Sequence, residues 1–369
     1  MTPTRKLTVS FRGRTVGTLA PAPDGRVNVF EYDKSWLADG FSISPLDLPL
    51  QPGVFVAQPQ PFYGNFGIFE DSLPDGYGRY LLHKALLRKG INDADLTSLD
   101  RLALVGDGGM GALCYAPSVR LEREEQVSDF DRLQEIALEV LRERQDTDAG
   151  LLLYNSGNSG GARPKAVFSD ADGHWLVKFR HTYDPADIGA QEYLYNETAR
   201  KCGITVPDFR LINDRYFASR RFDIDPDGNR LHTATAGALL GISLREPFMD
   251  YANLLALTVF MTHSRADAEQ MYRRMVFNYL AGNKDDHCKN FSFYVVRDGD
   301  AWRWRLAPAY DLTPSAEGFN GQHATSVNGT AHPCLADFLA VGAKIKLPES
   351  RCRAIIDEVR SACAPLPLL

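Results

Sequence analysis

The chain has 369 residues, 44% hydrophobic and 24% charged, so it is long enough for two or three domains that each bury a core. Its formal net charge is −6, and the sequence contains no run of lysines and arginines that would form a basic face. Both features argue against autonomous binding to DNA or to an anionic membrane. The six cysteines form no C-x-x-C pair, so neither a zinc site nor a disulfide framework is indicated. Since no apolar signal segment or membrane-spanning run is present, we expect a soluble cytoplasmic protein with free thiols.

Residues 1–120 are predicted to form a β-rich N-terminal module. Alternating apolar residues between turn residues indicate three strands, Leu7–Phe11, Thr15–Leu19 and Val27–Tyr32. The pattern changes in Phe69–Ile91, where the turn-like Leu73–Gly76 is followed by apolar residues at helical spacing from Tyr80 to Leu86, which predicts a helix there. A second helix is predicted over Asp95–Val105. The glycine-rich segment Gly106–Ala112 is followed by neither a helix start nor a lysine, so we interpret it as a connecting turn rather than a phosphate loop.

Residues 121–235 are predicted to form a nucleotide-holding lobe. A helix over Phe130–Arg144 precedes a glycine-rich loop from Ser156 to Lys165, which opens onto a hairpin ending at Lys178. A loop without Cβ atoms lets backbone N–H groups approach phosphate oxygens. The loop alone is a weak signal because it is not a Walker A sequence, but protein kinases place a phosphate-pairing lysine on a strand shortly after such a loop.

The chain then changes from strands to helices. A helix over Ile188–Cys202 carries Glu192, which either pairs with Lys178 as in kinases or is an ordinary solvated glutamate. A further hairpin is indicated up to Asp223. Residues 236–369 are predicted to form a mostly helical lobe, with helices over Tyr251–Met261 and Ala266–Leu280.

The segment Gly282–Asn290 carries the strongest functional signal. A protein kinase needs an aspartate that accepts the substrate hydroxyl proton and, five positions on, an asparagine that holds Mg²⁺. Asp285 and Asn290 have this spacing, and a predicted hairpin returns the chain to Asp311, a second metal ligand. Each residue alone has an ordinary explanation in a loop or turn, and His287 is more typical of a loop-stabilising residue than of a base. The order of these features along the chain is that of a protein kinase, so we predict an α+β, protein-kinase-like bilobal fold.

At these motifs the chain resembles the HipA family of serine/threonine kinases, the toxin halves of HipBA-type toxin–antitoxin pairs. The matching segments are Asp285–Ser292, Pro308–Asp311, Gly161–Lys165, Phe217–Asp223 and Phe69–Gly76. The resemblance implies that Asp285 is the catalytic base and that Asn290 and Asp311 bind Mg²⁺. The supporting residues are Glu192, His287 and Lys289. The residues implied in ATP binding are Ser159, Gly160, Gly161, Ala162, Arg163, Lys165, Lys178, Arg221, Phe222 and Asp223. The adenine is expected to be held by backbone groups of Arg221 and Phe222.

The chain departs from the family pattern at three places. Studied members autophosphorylate a serine three positions before a glycine of the loop, whereas this chain has Asn158 there, with Ser156 and Ser159 as neighbouring candidate phosphoacceptors. Arg220 stands where a glutamate is usual, but nucleotide binding is expected to be retained because the adenine contacts there are mostly main-chain. The region after Asp311 is shorter than in the long toxin members.

The function implied by the resemblance is ATP- and Mg²⁺-dependent serine/threonine phosphorylation of a cytoplasmic protein, leading to growth arrest. The implied substrate class is the translation machinery, with aminoacyl-tRNA synthetases as the studied targets. A HipB-like helix-turn-helix antitoxin is the implied partner, DNA contact is expected only through it, and no membrane is involved. Two alternatives stay open: a catalytically weak interaction module acting as an antitoxin-bound corepressor, and a small-molecule kinase on the same fold.

Overall fold

The computed structural model describes residues 3–119, 127–143, 149–156, 161–246, 248–315, 318 and 321–366. The chain divides into two compact units. The first consists of Met1–Gly189 and Arg210–Thr233, and the second of Ala190–Phe209 and Ala234–Leu369. The division into three domains at residues 120 and 235 stays a prediction.

The first unit begins with a five-stranded antiparallel sheet. Its strands are β1 (Leu7–Phe11), β2 (Arg14–Pro21), β3 (Asn28–Tyr32), β4 (Val54–Val56) and β5 (Leu113–Ala116). Their order is β4-β3-β2-β1-β5, and the short helix α1 (Lys34–Asp39) follows β3. Leu7, Val9 and Phe11 alternate with less buried residues along β1, as expected for a half-buried strand. The three predicted strands are therefore confirmed, whereas β4 and β5 were not predicted.

The predicted helices of the first unit are present, although the one predicted from Asp95 begins later than its apolar spacing predicts. The helices of this unit are α2 (Gly67–Glu70), α3 (Gly76–Arg88), the 3₁₀ helix Asp93–Asp95, α4 (Ser98–Val105), α5 (Phe130–Leu141) and α6 (Ala149–Ser156). The helix predicted after the Leu73–Gly76 turn is confirmed as α3. The next helix begins only after Thr97, where the Thr97 and Asp100 side chains form a capping box.

The glycine-rich segment 106–112 is a connecting turn, as predicted. The Arg230 guanidinium donates hydrogen bonds to the carbonyl oxygens of Asp107, Gly109 and Gly111, the last at 2.6 Å from Nε. Gly106 and Gly111 adopt positive φ angles of 55° and 67°, which explains the glycine content. The segment directs carbonyl oxygens at a cation, which is the opposite polarity to a phosphate-binding loop.

Arg230→Met is expected to destabilise the protein by about 2 kcal/mol, because three carbonyl groups lose a charged donor. The change is measured as a lower midpoint of urea unfolding. Arg26→Met is the matched control, since this arginine is exposed, and it should shift the free energy of unfolding by less than about 0.5 kcal/mol. Equal unfolding midpoints for the two variants would contradict the proposed stabilising role.

A second sheet in the first unit carries the end of the loop 156–165. Its strands are β6 (Lys165–Asp170), β7 (Gly173–Lys178), β8 (Phe209–Ile212, whose first residue belongs to the second unit) and β9 (Tyr216–Arg220), in the order β6-β7-β9-β8. Both predicted hairpins are confirmed. One face of this sheet packs on α5 and α6 through Trp175, Val177, Leu133, Ala137 and Leu152. This packing fixes the strand on which Lys178 lies.

The second unit is mostly helical, as predicted. Its helices are α7 (Ile188–Lys201, whose first two residues belong to the first unit), α8 (Ala236–Leu240), α9 (Tyr251–Thr262), α10 (Arg265–Ala281), α11 (Leu335–Lys344) and α12 (Glu349–Cys363). Its strands are β10 (Thr233–Thr235, whose first residue belongs to the first unit), β11 (Met249–Asp250), β12 (Ser292–Asp298), β13 (Ala301–Leu306) and β14 (Thr325–Ser326).

Helix α10 is the centre of this unit. It packs against α9 and α12 and buries Met271, Tyr272 and Met275. The predicted hairpin after Asn290 is β12–β13, which joins β10 in a three-stranded sheet. No helix in the described ranges combines the length and the apolar character that a membrane crossing requires.

Candidate active site

The loop of residues 282–290, called the Asp285 loop below, starts at a fixed point at the end of α10. Gly282 caps the helix in the left-handed conformation, with φ of 68°, and its N–H donates to the Asn278 carbonyl. Asn283 donates to the same residue twice, from its backbone N–H to the Asn278 carbonyl at 2.9 Å and from its side chain to Asn278 Oδ1 at 3.0 Å. The direction in which the chain leaves the helix is therefore set by three hydrogen bonds.

Asp286 anchors the loop from inside the unit. Asp286 is only 1% exposed. Its carboxylate accepts hydrogen bonds from the Tyr251 hydroxyl at 2.8 Å, from His323 Nδ1 at 3.2 Å and from the Thr325 N–H at 3.2 Å. Burial, and then the nearby Asp286 carboxylate, raise the pKa of Tyr251 well above its usual value, so its hydroxyl stays a donor. The His323 ring is stacked on Tyr279 with ring centroids 3.7 Å apart. The sequence analysis did not single out Asp286, although its position beside Asp285 was a possible signal.

Asp285 is presented to solvent by this anchored loop. About 55% of its side-chain surface is exposed. Its backbone carbonyl accepts a hydrogen bond of 2.7 Å from the Asn290 side-chain nitrogen, so the Asp-x-x-x-x-Asn spacing is closed by a direct contact. The Asn290 N–H also donates to the His287 carbonyl at 2.9 Å. Asp285 and Asn290 are thus held together by the conformation of the loop itself.

His287 caps the 3₁₀ helix Cys288–Asn290. Its Nδ1 accepts a hydrogen bond of 3.2 Å from the Lys289 N–H, so the neutral ring carries its proton on Nε2. Nε2 lies 3.9 Å from Asp285 Oδ1. This position agrees with a loop-stabilising residue that faces the candidate base.

Asp311 is positioned by contacts of the segment that leads into it. Its φ angle is 58°, in the left-handed region that aspartate tolerates better than most residues. The Tyr310 hydroxyl donates to the Lys289 carbonyl at 2.7 Å and contacts the Ser292 hydroxyl, which ties this segment to the Asp285 loop. The Ala307 carbonyl accepts a hydrogen bond of 2.6 Å from Arg274. Burial lowers the pKa of Arg274 to about 10, so it remains a cation near neutral pH.

The donor set in this unit fits a hard metal ion. Asn290 supplies a carboxamide oxygen and Asp311 a carboxylate, and Mg²⁺ is typically bound by one or two such groups together with phosphate oxygens and water. Among the residues that the structure describes, no group of three or more His, Cys, Asp or Glu side chains could hold a metal ion. A metal at Asn290 and Asp311 would therefore depend on ligands from a bound nucleotide.

The first unit places two lysines side by side at the end of the glycine-rich loop. Lys165 and Lys178 are directly opposite in the antiparallel β6–β7 pair, so both side chains lie on the same sheet face. Lys165 is only 8% exposed, and a Cβ atom on Gly161 would lie 2.7 Å from its Nζ. Gly161 has a φ angle of 97°. Ala162 next to it is exposed.

Several residues implied in ATP binding are held by carboxylates of the same unit. Arg163 forms a bidentate salt bridge with the buried Asp184, with both nitrogen–oxygen distances at 3.0 Å. Arg221 donates to both Asp223 oxygens at 2.9 and 2.6 Å. Burial opposes the charge of Arg221, but the Asp223 carboxylate outweighs it and holds the pKa of Arg221 above its usual value. These contacts give Arg163 and Asp223 a structural role in positioning the loop end and the turn after β9.

The backbone beside β9 limits how an adenine could bind. The Arg221 N–H donates to the His174 carbonyl at 2.8 Å, so an adenine contact at this residue would use its carbonyl oxygen. Phe222 follows in a turn. The adenine contact of these two residues stays a prediction.

The remaining candidate residues lie in different surroundings. Ser159 and Gly160 lie outside the described residues. Ser156 is 2% exposed at the end of α6 and donates to the Leu153 carbonyl at 3.3 Å, so it is not presented as a phosphoacceptor in this conformation. Glu192 is buried on α7 in the second unit, and its pairing with Lys178 stays a prediction.

Two family models match the chain. The HipA N-terminal domain matches residues 7–116, and the HipA-like C-terminal domain matches residues 157–365. The chain belongs to the HipA family. The expected family is thereby confirmed, and the match covers the Asp285 loop, Asp311 and the loop end at residues 161–165.

Relatives and solved structures agree with this membership. The chain is 26% identical over 387 residues to "Putative kinase Y4dM" of Sinorhizobium fredii, covering 96% of this chain and 88% of that protein. It is 26% identical over 153 residues to a "Putative kinase" of Haemophilus influenzae, covering 36% of this chain and 44% of that protein. HipA of Shewanella oneidensis MR-1, solved with HipB and operator DNA, superposes with a TM-score of 0.70 at 18% identity over 98% of this chain and 92% of that chain. The α+β class is confirmed, and the fold is that of HipA.

Proposed function

We propose that this HipA-family chain is an ATP- and Mg²⁺-dependent serine/threonine protein kinase. The observation that carries the proposal is the Asp285 loop, in which an exposed aspartate is held between a buried carboxylate anchor and a contact from Asn290. Phosphoryl transfer requires little covalent chemistry from the protein, so fixed positions of an acceptor-orienting carboxylate and of phosphate-binding groups account for most of the catalysis.

Each residue has a definite role in this proposal. Asp285 orients the substrate hydroxyl and accepts its proton, and His287 Nε2 faces it at 3.9 Å. Lys165, Lys178 and the backbone around Gly161 supply positive charge and donors for phosphate oxygens. Asn290 and Asp311 would hold Mg²⁺, which when bound neutralises charge on the transferring phosphoryl group.

Asp311→Asn is expected to raise the Mg²⁺ concentration needed for half-maximal transfer at least about tenfold, because one anionic oxygen ligand becomes neutral. Asparagine is the informative replacement, since it also tolerates the φ angle of 58° and leaves the backbone unstrained. The control is Asp214→Asn, an exposed aspartate with φ of 53° in the turn before β9, which should leave the Mg²⁺ dependence unchanged. An unchanged Mg²⁺ dependence for Asp311→Asn would argue against its role as a ligand.

The proposed biological role is that of a toxin that arrests growth by phosphorylating a cytoplasmic protein of the translation machinery. Support comes from family membership and from the similarity to Shewanella HipA, whose structure contains HipB and operator DNA. A HipB-like helix-turn-helix antitoxin would be the partner, with DNA contacted through it. Expression of the wild-type chain should arrest growth, and co-expression of the antitoxin should relieve the arrest.

The decisive experiment is incubation with [γ-³²P]ATP, Mg²⁺ and a cell lysate, followed by identification of the labelled species and its phosphoamino acid. Label on serine or threonine of a protein supports the proposal. Label confined to small molecules would favour a small-molecule kinase. No label, together with no heat of Mg²⁺-ATP binding in calorimetry, would favour a catalytically weak interaction module.

A further inference from the structure

The N-terminus of helix α3 makes an unusual exchange of hydrogen bonds with the end of the glycine-rich loop. Asp75 is the N-cap residue of α3, a position whose carboxylate normally accepts from the first backbone N–H groups of its own helix. Asp75 makes no such bond. Its Oδ1 instead accepts a hydrogen bond of 2.5 Å from the N–H of Gly161, 86 residues away.

The Gly161 carbonyl provides the acceptor for α3 that the Asp75 side chain does not provide. Its oxygen accepts a hydrogen bond of 3.0 Å from the N–H of Tyr77, in the first turn of α3. A single residue of the loop therefore accepts from a helix N–H group through its carbonyl oxygen and donates to the helix's N-cap carboxylate through its N–H. Both bonds require the backbone of α3 to lie directly against the loop.

Gly76 is what permits this approach. It has a φ angle of 45°, and a Cβ atom at this position would lie 2.5 Å from the Gly161 carbonyl oxygen and 2.8 Å from its carbonyl carbon. Contacts this short with backbone atoms cannot be relieved by a side-chain rotation. Any larger residue at position 76 would push the loop end away from the helix.

The loop end placed in this way lies against Lys165. The Nζ atom of Lys165 would be 2.7 Å from a Cβ on Gly161, so a displacement of Gly161 moves backbone next to one of the two lysines on this sheet face. Helix α3 is further tied to the same unit through the Tyr80 hydroxyl, which donates to the Val140 carbonyl of α5 at 3.0 Å. The helix is thus a fixed support on which the loop end rests.

We infer that Asp75 and Gly76 are positioning residues for nucleotide binding, through which the N-terminal module sets the conformation of the phosphate-binding loop end. The inference rests on the proposed function in that Gly161 and Lys165 are taken to face nucleotide phosphates. Asp75 acts through Gly161 and does not itself touch the nucleotide. It therefore affects how well the loop is pre-organised for the phosphates and leaves the chemical step at Asp285 unaltered.

The test compares Asp75→Ala, Asp75→Asn and Gly76→Ala with Asp95→Ala, an exposed aspartate of the same module. Asp75→Ala should raise KM for ATP, and the Kd measured by calorimetry with Mg²⁺-ATP, by about tenfold, with kcat changed less than about twofold. Asp75→Asn retains an acceptor oxygen and should restore most of the affinity. Gly76→Ala should weaken binding at least as much as Asp75→Ala, and Asp95→Ala should match the wild type.

A second measurement tests the contact itself and needs no activity. Hydrogen exchange at the Gly161 amide should be faster in Asp75→Ala than in the wild type, while exchange in the core of β7 stays unchanged. If the wild type binds Mg²⁺-ATP but Asp75→Ala and Gly76→Ala bind it equally well, the inference is wrong and the proposed function stands. If the wild type binds no nucleotide, the proposed function fails, and faster Gly161 exchange in Asp75→Ala would still establish the contact.

Discussion

Asp285→Asn is expected to lower the rate of phosphoryl transfer by about 10²–10⁴-fold, the usual contribution of a positioned general base. The replacement keeps the size of the side chain but removes its charge and its ability to accept a proton. The Asp285 contact with Asn290 uses the backbone carbonyl, so the loop geometry should be retained in the variant. Mg²⁺-ATP affinity, measured by calorimetry, should stay within about twofold of the wild type because, in the proposed mechanism, the lost group acts on the acceptor hydroxyl and not on the nucleotide.

The control for this experiment is Asp300→Asn, which changes an exposed aspartate in the β12–β13 turn of the same unit. It should transfer ³²P at the wild-type rate. Near wild-type transfer by Asp285→Asn itself would exclude this residue as the base. A parallel loss of Mg²⁺-ATP binding in that variant would instead indicate a role in the nucleotide site.

The spacing of Asp285 and Asn290 could be predicted from the sequence because the contact that joins them is local. Four residues lie between the two positions, and the asparagine bond to the Asp285 carbonyl closes that short loop. Periodicity likewise predicted α9, α10 and the hairpins, since burial alternates or recurs within each element. The first residue of α4 was predicted less accurately, because a helix begins where capping contacts form, here at Thr97, and apolar spacing does not show these contacts.

The supports of the candidate site could not be predicted, because they join residues that are distant in sequence. Asp286 meets His323 and Thr325, which lie 37 and 39 residues further on, and Asp75 meets Gly161 across 86 residues. A motif also cannot distinguish an arginine that faces a ligand from one that faces a carboxylate. Arg163 belongs to the motif at the loop end, yet its Nε and Nη2 donate to the two carboxylate oxygens of Asp184.

Asp286→Ala is expected to destabilise the protein by about 3 kcal/mol and to abolish transfer. The three donors that converge on this buried carboxylate, from Tyr251, His323 and Thr325, would be left without their acceptor in a site from which water is excluded. The strand pair β11–β14 would lose the Thr325 N–H bond to the loop but keep the bond from the Thr325 hydroxyl to the Asp286 backbone carbonyl. The loss is measured as a lower midpoint of urea unfolding.

The neighbouring residue provides the matched control, because Asp285 and Asp286 are both aspartates of the same loop but differ in the burial of their side chains. Asp285→Ala should lose transfer while shifting the free energy of unfolding by less than about 0.5 kcal/mol, since most of that side chain is exposed. Asp286→Asn should fall between the two in stability, because an amide fits the space but brings N–H groups toward three donors. Unfolding midpoints that coincide for Asp285→Ala and Asp286→Ala would mean that Asp286 does not anchor the loop. Wild-type transfer by Asp286→Ala would mean that the position of Asp285 does not depend on it.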